Sequence, residues 1–125
     1  MKQAELVQRV IEAAVEVHEA LGPGLTNETY AACLCREMFQ RSIGCQRNVA
    51  FPVIYKNFRT GDSVTIDILI EDAIVVQVIQ EQELCREHSS SLMAQLRHSG
   101  RQAGLLLNFA PGGGVTGLRH IVLYP

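Results

Sequence analysis

The chain has 125 residues, 47% of them hydrophobic, with 13 acidic residues, 11 Lys or Arg and a formal net charge of −2. That length supports one domain with a real core over 1–125 and is too short for two. The slight negative charge excludes a general attraction to nucleic acid or anionic membrane, and no apolar run is long enough to span a bilayer.

Residues 3–21 read as a helix, because Leu6, Val10, Ala13, Ala14, Val17 and Leu21 recur at helical spacing. His18 sits beside that stripe and reads as a packed or half-exposed histidine at the core edge. Gly22-Pro23-Gly24 ends the helix. A second helix starts at Thr26 or Asn27, either of which can cap it. Tyr30, Leu34 and Met38 form its apolar stripe, and Gly44 follows its end.

The middle of the chain reads as strands. Val49, Phe51, Val53 and Tyr55 alternate on one face. Pro52 removes a ladder donor, so this strand is an edge or is bulged. Residues 57–62 read as a turn, followed by strands over 64–70 and 74–80. A three-residue connection at Glu71-Asp72-Ala73 pairs Ile70 with Ile74, Ile68 with Val76 and Ile66 with Val78. That register gathers six β-branched residues on one face, so burial favours it. It also sets Asp67 opposite Gln77 on the other face, with Leu69, Val75, Ile79 and Glu81.

A third helix is expected over 86–99, anchored by Leu92 and Leu96 and stopped by Gly100. Residues 103–109 form a nearly continuous apolar run, the pattern of a strand buried on both faces. A loop at Pro111 to Gly114 and a last strand over 118–123 complete the chain. The order α, α, β, β, β, α, β, β specifies an α/β class with one mixed sheet.

Met1 to Arg9 lacks the charged-then-apolar layout of a secretory signal, so the expected location is cytoplasmic. There Cys33, Cys35, Cys45 and Cys85 are expected as reduced thiols, since their spacing is not that of a disulfide framework. Cys85 and His88 are spaced C-x-x-H. A zinc site is not expected from it, because Cys33 and Cys35 lie about 200° apart around a helix and cannot share one ion. His88 beside Ser89-Ser90-Ser91 has no nucleophile-elbow context. Gly112-Gly113-Gly114 lacks the Lys-Ser/Thr of a phosphate loop. The clusters Arg36/Arg41/Arg47 and Arg97/His98/Arg101 read as solvated helix ends and loops.

Leu21-Gly22-Pro23-Gly24-Leu25, the downstream Tyr30, the Asp67 hairpin and Gly104-Leu105-Leu106-Leu107-Asn108-Phe109 together resemble the GxxExxY proteins of the PD-(D/E)XK nuclease superfamily. The resemblance spans about residues 10–122. It implies a restriction-endonuclease-like αβββαβ core with an extra N-terminal helix and a C-terminal strand. It also implies a helix Glu, a strand Asp and a Glu-x-Lys on the next strand, the acids holding Mg²⁺ and the Lys assisting electrostatically.

By position the helix Glu falls on Asn27, the strand Asp on Asp67, the second acid on Gln77, the Lys on Ile79, and a Gln of the following helix on Ser91. Only Asp67 retains its chemistry. Clustered acids need a cation, whereas one acid beside two amides does not, because an amide NH₂ can donate to it. The expectation is a vestigial site with no bound metal and no other cofactor, in which Gln77 and Asn27 satisfy Asp67. Tyr30 and His88 are expected at the same pocket. Glu28 is expected to be turned away from it by one helical step.

The sequence thus favours a non-catalytic binding or interaction module over an enzyme, with no membrane partner and an unknown ligand. The alternatives are a divergent, active Mg²⁺-dependent nuclease using Asp67 and a catalytically silent nucleic-acid binder using the Arg clusters. Self-association into a homodimer is also expected, although no self-complementary patch in the sequence supports it.

Overall fold

A computed structural model describes residues 2–81, 86–110 and 118–124. Three helices, α1 (Gln3–Leu21), α2 (Asn27–Gln40) and α3 (Arg86–Ser99), accompany five strands: β1 (Cys45–Tyr55), β2 (Phe58–Ile70), β3 (Ile74–Ile79), β4 (Ala103–Asn108) and β5 (Arg119–Leu123). The strands form one sheet in the order β1-β2-β3-β4-β5. β3 and β4 are parallel, and the other neighbouring pairs are antiparallel. This is the α/β mixed sheet expected from the sequence.

The sheet is covered on both faces. Under α1 and α2, Leu6, Val10, Leu34 and Met38 pack on Ile68, Ile70, Ile74, Val76, Leu105 and Leu107. Under α3, Leu92 and Leu96 pack on Ile66, Leu69, Val75, Ile79 and Leu106. All six residues of β4 are buried, as its continuous apolar run requires. Gly104 lets α3 come close. A Cβ there would lie 3.0 Å from both Leu92 Cγ and Leu96 Cδ1.

The connection after α1 is held by Tyr30, which is fully buried. Its ring stacks on Phe109 with centroids 4.4 Å apart. Its hydroxyl donates to the Gly22 carbonyl at 2.6 Å and accepts from Leu25 N–H at 3.3 Å. Thr26 caps α2 by accepting from Thr29 N–H, which leaves Asn27 as the first helical residue. His18 is half-buried, 5.9 Å from the Phe109 ring.

Two expectations are corrected. The turn placed at 57–62 is a two-residue turn at Lys56-Asn57, both left-handed at φ 46° and 66°, with Tyr55 paired to Phe58. Such a turn matches strand twist, so pairing resumes at once and the polar stretch 59–62 continues the strand. The second correction concerns the thiols. Cys35 and Cys45 form a disulfide, their Cα atoms 5.6 Å apart, and Cys33 is free. The reversal through Gly44 returns β1 alongside α2, a proximity that spacing rules for disulfide frameworks do not register. Cys85 and the Gly112–Gly114 loop lie outside the described residues.

Tyr30→Phe keeps the stack and removes only the hydroxyl, so urea denaturation should show a loss of about 1 kcal/mol. Tyr30→Ala also empties the core position and should cost roughly 3–5 kcal/mol.

Candidate functional site

The site forms where β2 and β3 part. Their ladder runs from Ile70 with Ile74 through Leu69 with Val75 to Ile68 with Val76, as the three-residue connection anticipated, but it stops before the expected pairs Asp67–Gln77 and Ile66–Val78. Within β2, however, Ile66 packs under α3 whereas Ile68 packs under α1 and α2. Two residues apart on a regular strand share a face, so the alternation breaks at Asp67. Opposite it on β1, Asn48 has φ 56°, and it falls between the pairs Arg47–Ile68 and Val49–Ile66.

That break sets the position of Asp67. Its carboxylate accepts from Val78 N–H at 3.1 Å, substituting for a ladder bond. It lines a cavity of about 140 Å³ with Asn27, Glu28, Ala31, Arg47, Asn48 and Val78. Burial pushes the Asp67 carboxyl above the usual carboxylate range. The Val78 N–H opposes that shift, Glu28 adds to it, and Arg47 pulls the other way.

The expected residues divide between the two faces of the sheet. Asn27 shares the cavity with Asp67, but its Oδ1 accepts from Gln80 Nε2 at 3.0 Å and not from a partner of Asp67. Gln77 does not satisfy Asp67. It alternates with Val75 and Ile79, which pack under α3, and its Oε1 is buried with no hydrogen-bond partner among the described residues. Ile79 is 7% exposed within the α3-side core. Ser91 is exposed on α3. Tyr30 is buried in the core beneath the helices. His88 lies 3.8 Å from Glu81. None of Gln77, Ile79, Ser91, Tyr30 or His88 lines the cavity.

Glu28, expected to point away, lines the cavity. Residues 27, 28 and 31 lie within one helical turn and present a common face there. Arg47 and Asn48 were also missed, because the strand expected from alternation began at Val49. Gln80 was missed as well. It ties the start of α2 to the end of β3, donating to Leu25 O at 2.6 Å and to Asn27. Its only sequence signal is its alternation with Val76 and Val78. Asn108 clamps the same end of the sheet, donating to Glu81 O and accepting from Glu81 N–H and Ala110 N–H.

Asp67 and Glu28 are the two carboxylates among the described cavity residues, and among the described residues no three His, Cys, Asp or Glu side chains come together to hold a metal. The Asn27 oxygen already has a partner. Arg47 adds a fixed positive charge to the cavity.

A family model described as the PD-(D/E)XK nuclease superfamily matches residues 4–120. The crystal structure of an alkaline exonuclease from Laribacter hongkongensis is similar, with a TM-score of 0.52 and 10% sequence identity over 89% of this chain and 75% of that one. At that identity the likeness establishes the shared fold. No curated protein matches the chain.

Because the Asp67 carboxyl is raised, the folded state binds this proton more tightly than the unfolded state. The resulting stability is full below the ordinary carboxyl value of about 3.9 and is lost as pH climbs through the raised value. Asp67→Asn, which can still accept from Val78 N–H, should therefore be more stable than wild type at pH 7. Urea denaturation should show the gap closing as pH falls towards 4. A variant less stable than wild type at pH 7 would mean that the charged form has a stabilising partner.

Proposed function

The chain belongs to the PD-(D/E)XK nuclease superfamily, and from that premise we propose that it is a GxxExxY-like member acting as a non-catalytic binding or interaction module. The observation that carries this reading is the composition of the cavity. Asp67 meets a backbone N–H, an engaged amide and an arginine, while the positions that the resemblance gives to the second acid and the Lys hold Gln77 and Ile79, outside the cavity on the α3 side of the sheet. Phosphodiester hydrolysis in this superfamily needs acids that hold Mg²⁺ and a cation beside them. An amide and a buried alkyl group supply neither.

The same geometry favours one second reading. Glu28 brings another carboxylate into the cavity with Asp67, beside the guanidinium of Arg47. Mg²⁺ is often held by one or two carboxylates with substrate phosphates completing its shell. A divergent nuclease would then rest on Asp67, Glu28 and Arg47. A catalytically silent nucleic-acid binder has less support, since Arg36 and Arg41 belong to the end of α2 and Arg47 to β1, and Arg41 is paired with Glu16 and Glu37.

One assay separates the two main readings. Single- and double-stranded DNA and RNA are incubated with the protein in Mg²⁺ or Mn²⁺, beside Asp67→Ala and Glu28→Ala. The proposal expects no cleavage above background in any sample. Metal-dependent cleavage that disappears in both variants would establish the divergent nuclease instead.

A further inference from the structure

The distal half of the β1–β2 hairpin is an arm without a partner among the described residues. Residues 58–63 of β2 are all exposed, so no described element covers either face of the hairpin there. Its tip carries Ile54, Tyr55 and Phe58, exposed by 48%, 63% and 64%. Exposed apolar side chains grouped on one projection mark an interaction surface, and aromatic residues dominate the energetics of such surfaces. Between 52 and 63 the arm carries Lys56 and Arg59 against Asp62, a net charge of +1 in a chain whose total is −2.

A complementary surface lies on the opposite layer. α1, α2 and the C-cap of α2 carry Glu5, Glu12, Glu16, Glu19, Glu28 and Glu37 against Arg9, Arg36 and Arg41, a net charge of −3. Arg41 pairs with Glu16 and Glu37, and the exposed acids of α1 outside that pairing are Glu5, Glu12 and Glu19. Between these helices runs a groove of about 200 Å³ whose apolar lining is Val17, Ala20, Leu21 and Cys33. Leu21 is left 40% exposed. The groove suits an apolar projection flanked by cations.

We propose that the β1–β2 arm is an intersubunit clasp, its Tyr55–Phe58 tip seating in the α1–α2 groove of a second copy of this chain. Charge decides between the two ways copies could meet. Arm against arm sets +1 against +1, whereas arm against helical layer sets +1 against −3, and complementary potentials steer and register association. Reciprocal exchange of two arms closes the assembly as a two-fold dimer. The clasp does not depend on whether the cavity at Asp67 holds a metal.

Sedimentation equilibrium of the full chain tests the proposal. Wild type should form a reversible dimer that weakens with salt. Tyr55→Ser/Phe58→Ser should raise the dissociation constant about tenfold or more. Lys56→Glu/Arg59→Glu should do the same, and mixing it with Glu12→Lys/Glu19→Lys should restore a heterodimer. A wild type that stays monomeric throughout, arm variants that dimerise like wild type, or arm variants that lose only retention on nucleic acid would each overturn it. Should an arm variant fail to fold, oxidation of Phe58→Cys gives a second readout. The clasp predicts a covalent dimer that disappears with Cys33→Ser, and a dimer that persists in that background excludes the groove.

Discussion

The candidate site depends on the loss of alternation at Asp67. Had β2 kept a strict two-residue period, Asp67 would face α3 beside Gln77 and Ile79, and the cavity at the start of α2 would have no acid from the sheet. Instead Ile66 and Ile68 pack on opposite faces, and the Asp67 carboxylate takes the Val78 N–H that would otherwise face an empty ladder position. One hydrogen bond therefore closes the gap between two parting strands and fixes the acid at the cavity wall. The burial that makes this geometry also makes the charge costly, which is why the carboxyl is raised.

The stability of the fold lies elsewhere. Two apolar clusters, one on each face of the sheet, hold the helices, and neither contains Asp67, Asn27 or Glu28. Tyr30 on Phe109 and Asn108 on Glu81 lock the ends of the sheet without using the cavity. Changes at Asp67, Asn27 or Glu28 thus leave both clusters intact. Ile79 is buried under α3, where a lysine would have to reach for solvent.

The fold was largely legible in the chain because its signals are strong and local. Helical stripes, a doubly buried β4 and the β2–β3 register from Ile70–Ile74 to Ile68–Val76 each follow from periodicity and appear in the structure, whereas the expected Ile66–Val78 pair is not in the ladder and Ile66 packs on the other face. The site was less legible because it lies where periodicity stops. No local pattern announces that Asn48 adopts a left-handed conformation or that β2 turns over at Asp67. A one-residue change of face moves every side chain that follows to the other side of the sheet. Assigning Gln77 as the partner of Asp67 therefore followed from the register but not from the strand's actual course. Glu28 was missed because a helix face was narrowed to one residue, and the Cys35–Cys45 disulfide because two elements meet through a reversal that spacing alone does not reveal.

A non-catalytic module requires a cavity that is not built around a divalent cation. Diffraction from crystals grown with Mn²⁺, recorded at the manganese absorption edge, should then show no anomalous peak at the cavity and an Asp67 carboxylate still bonded to Val78 N–H. A peak at a coordination distance of about 2.1 Å from the Asp67 oxygen, with Glu28 drawn in beside it, would overturn the non-catalytic reading and return this member of the superfamily to the metal-dependent enzymes.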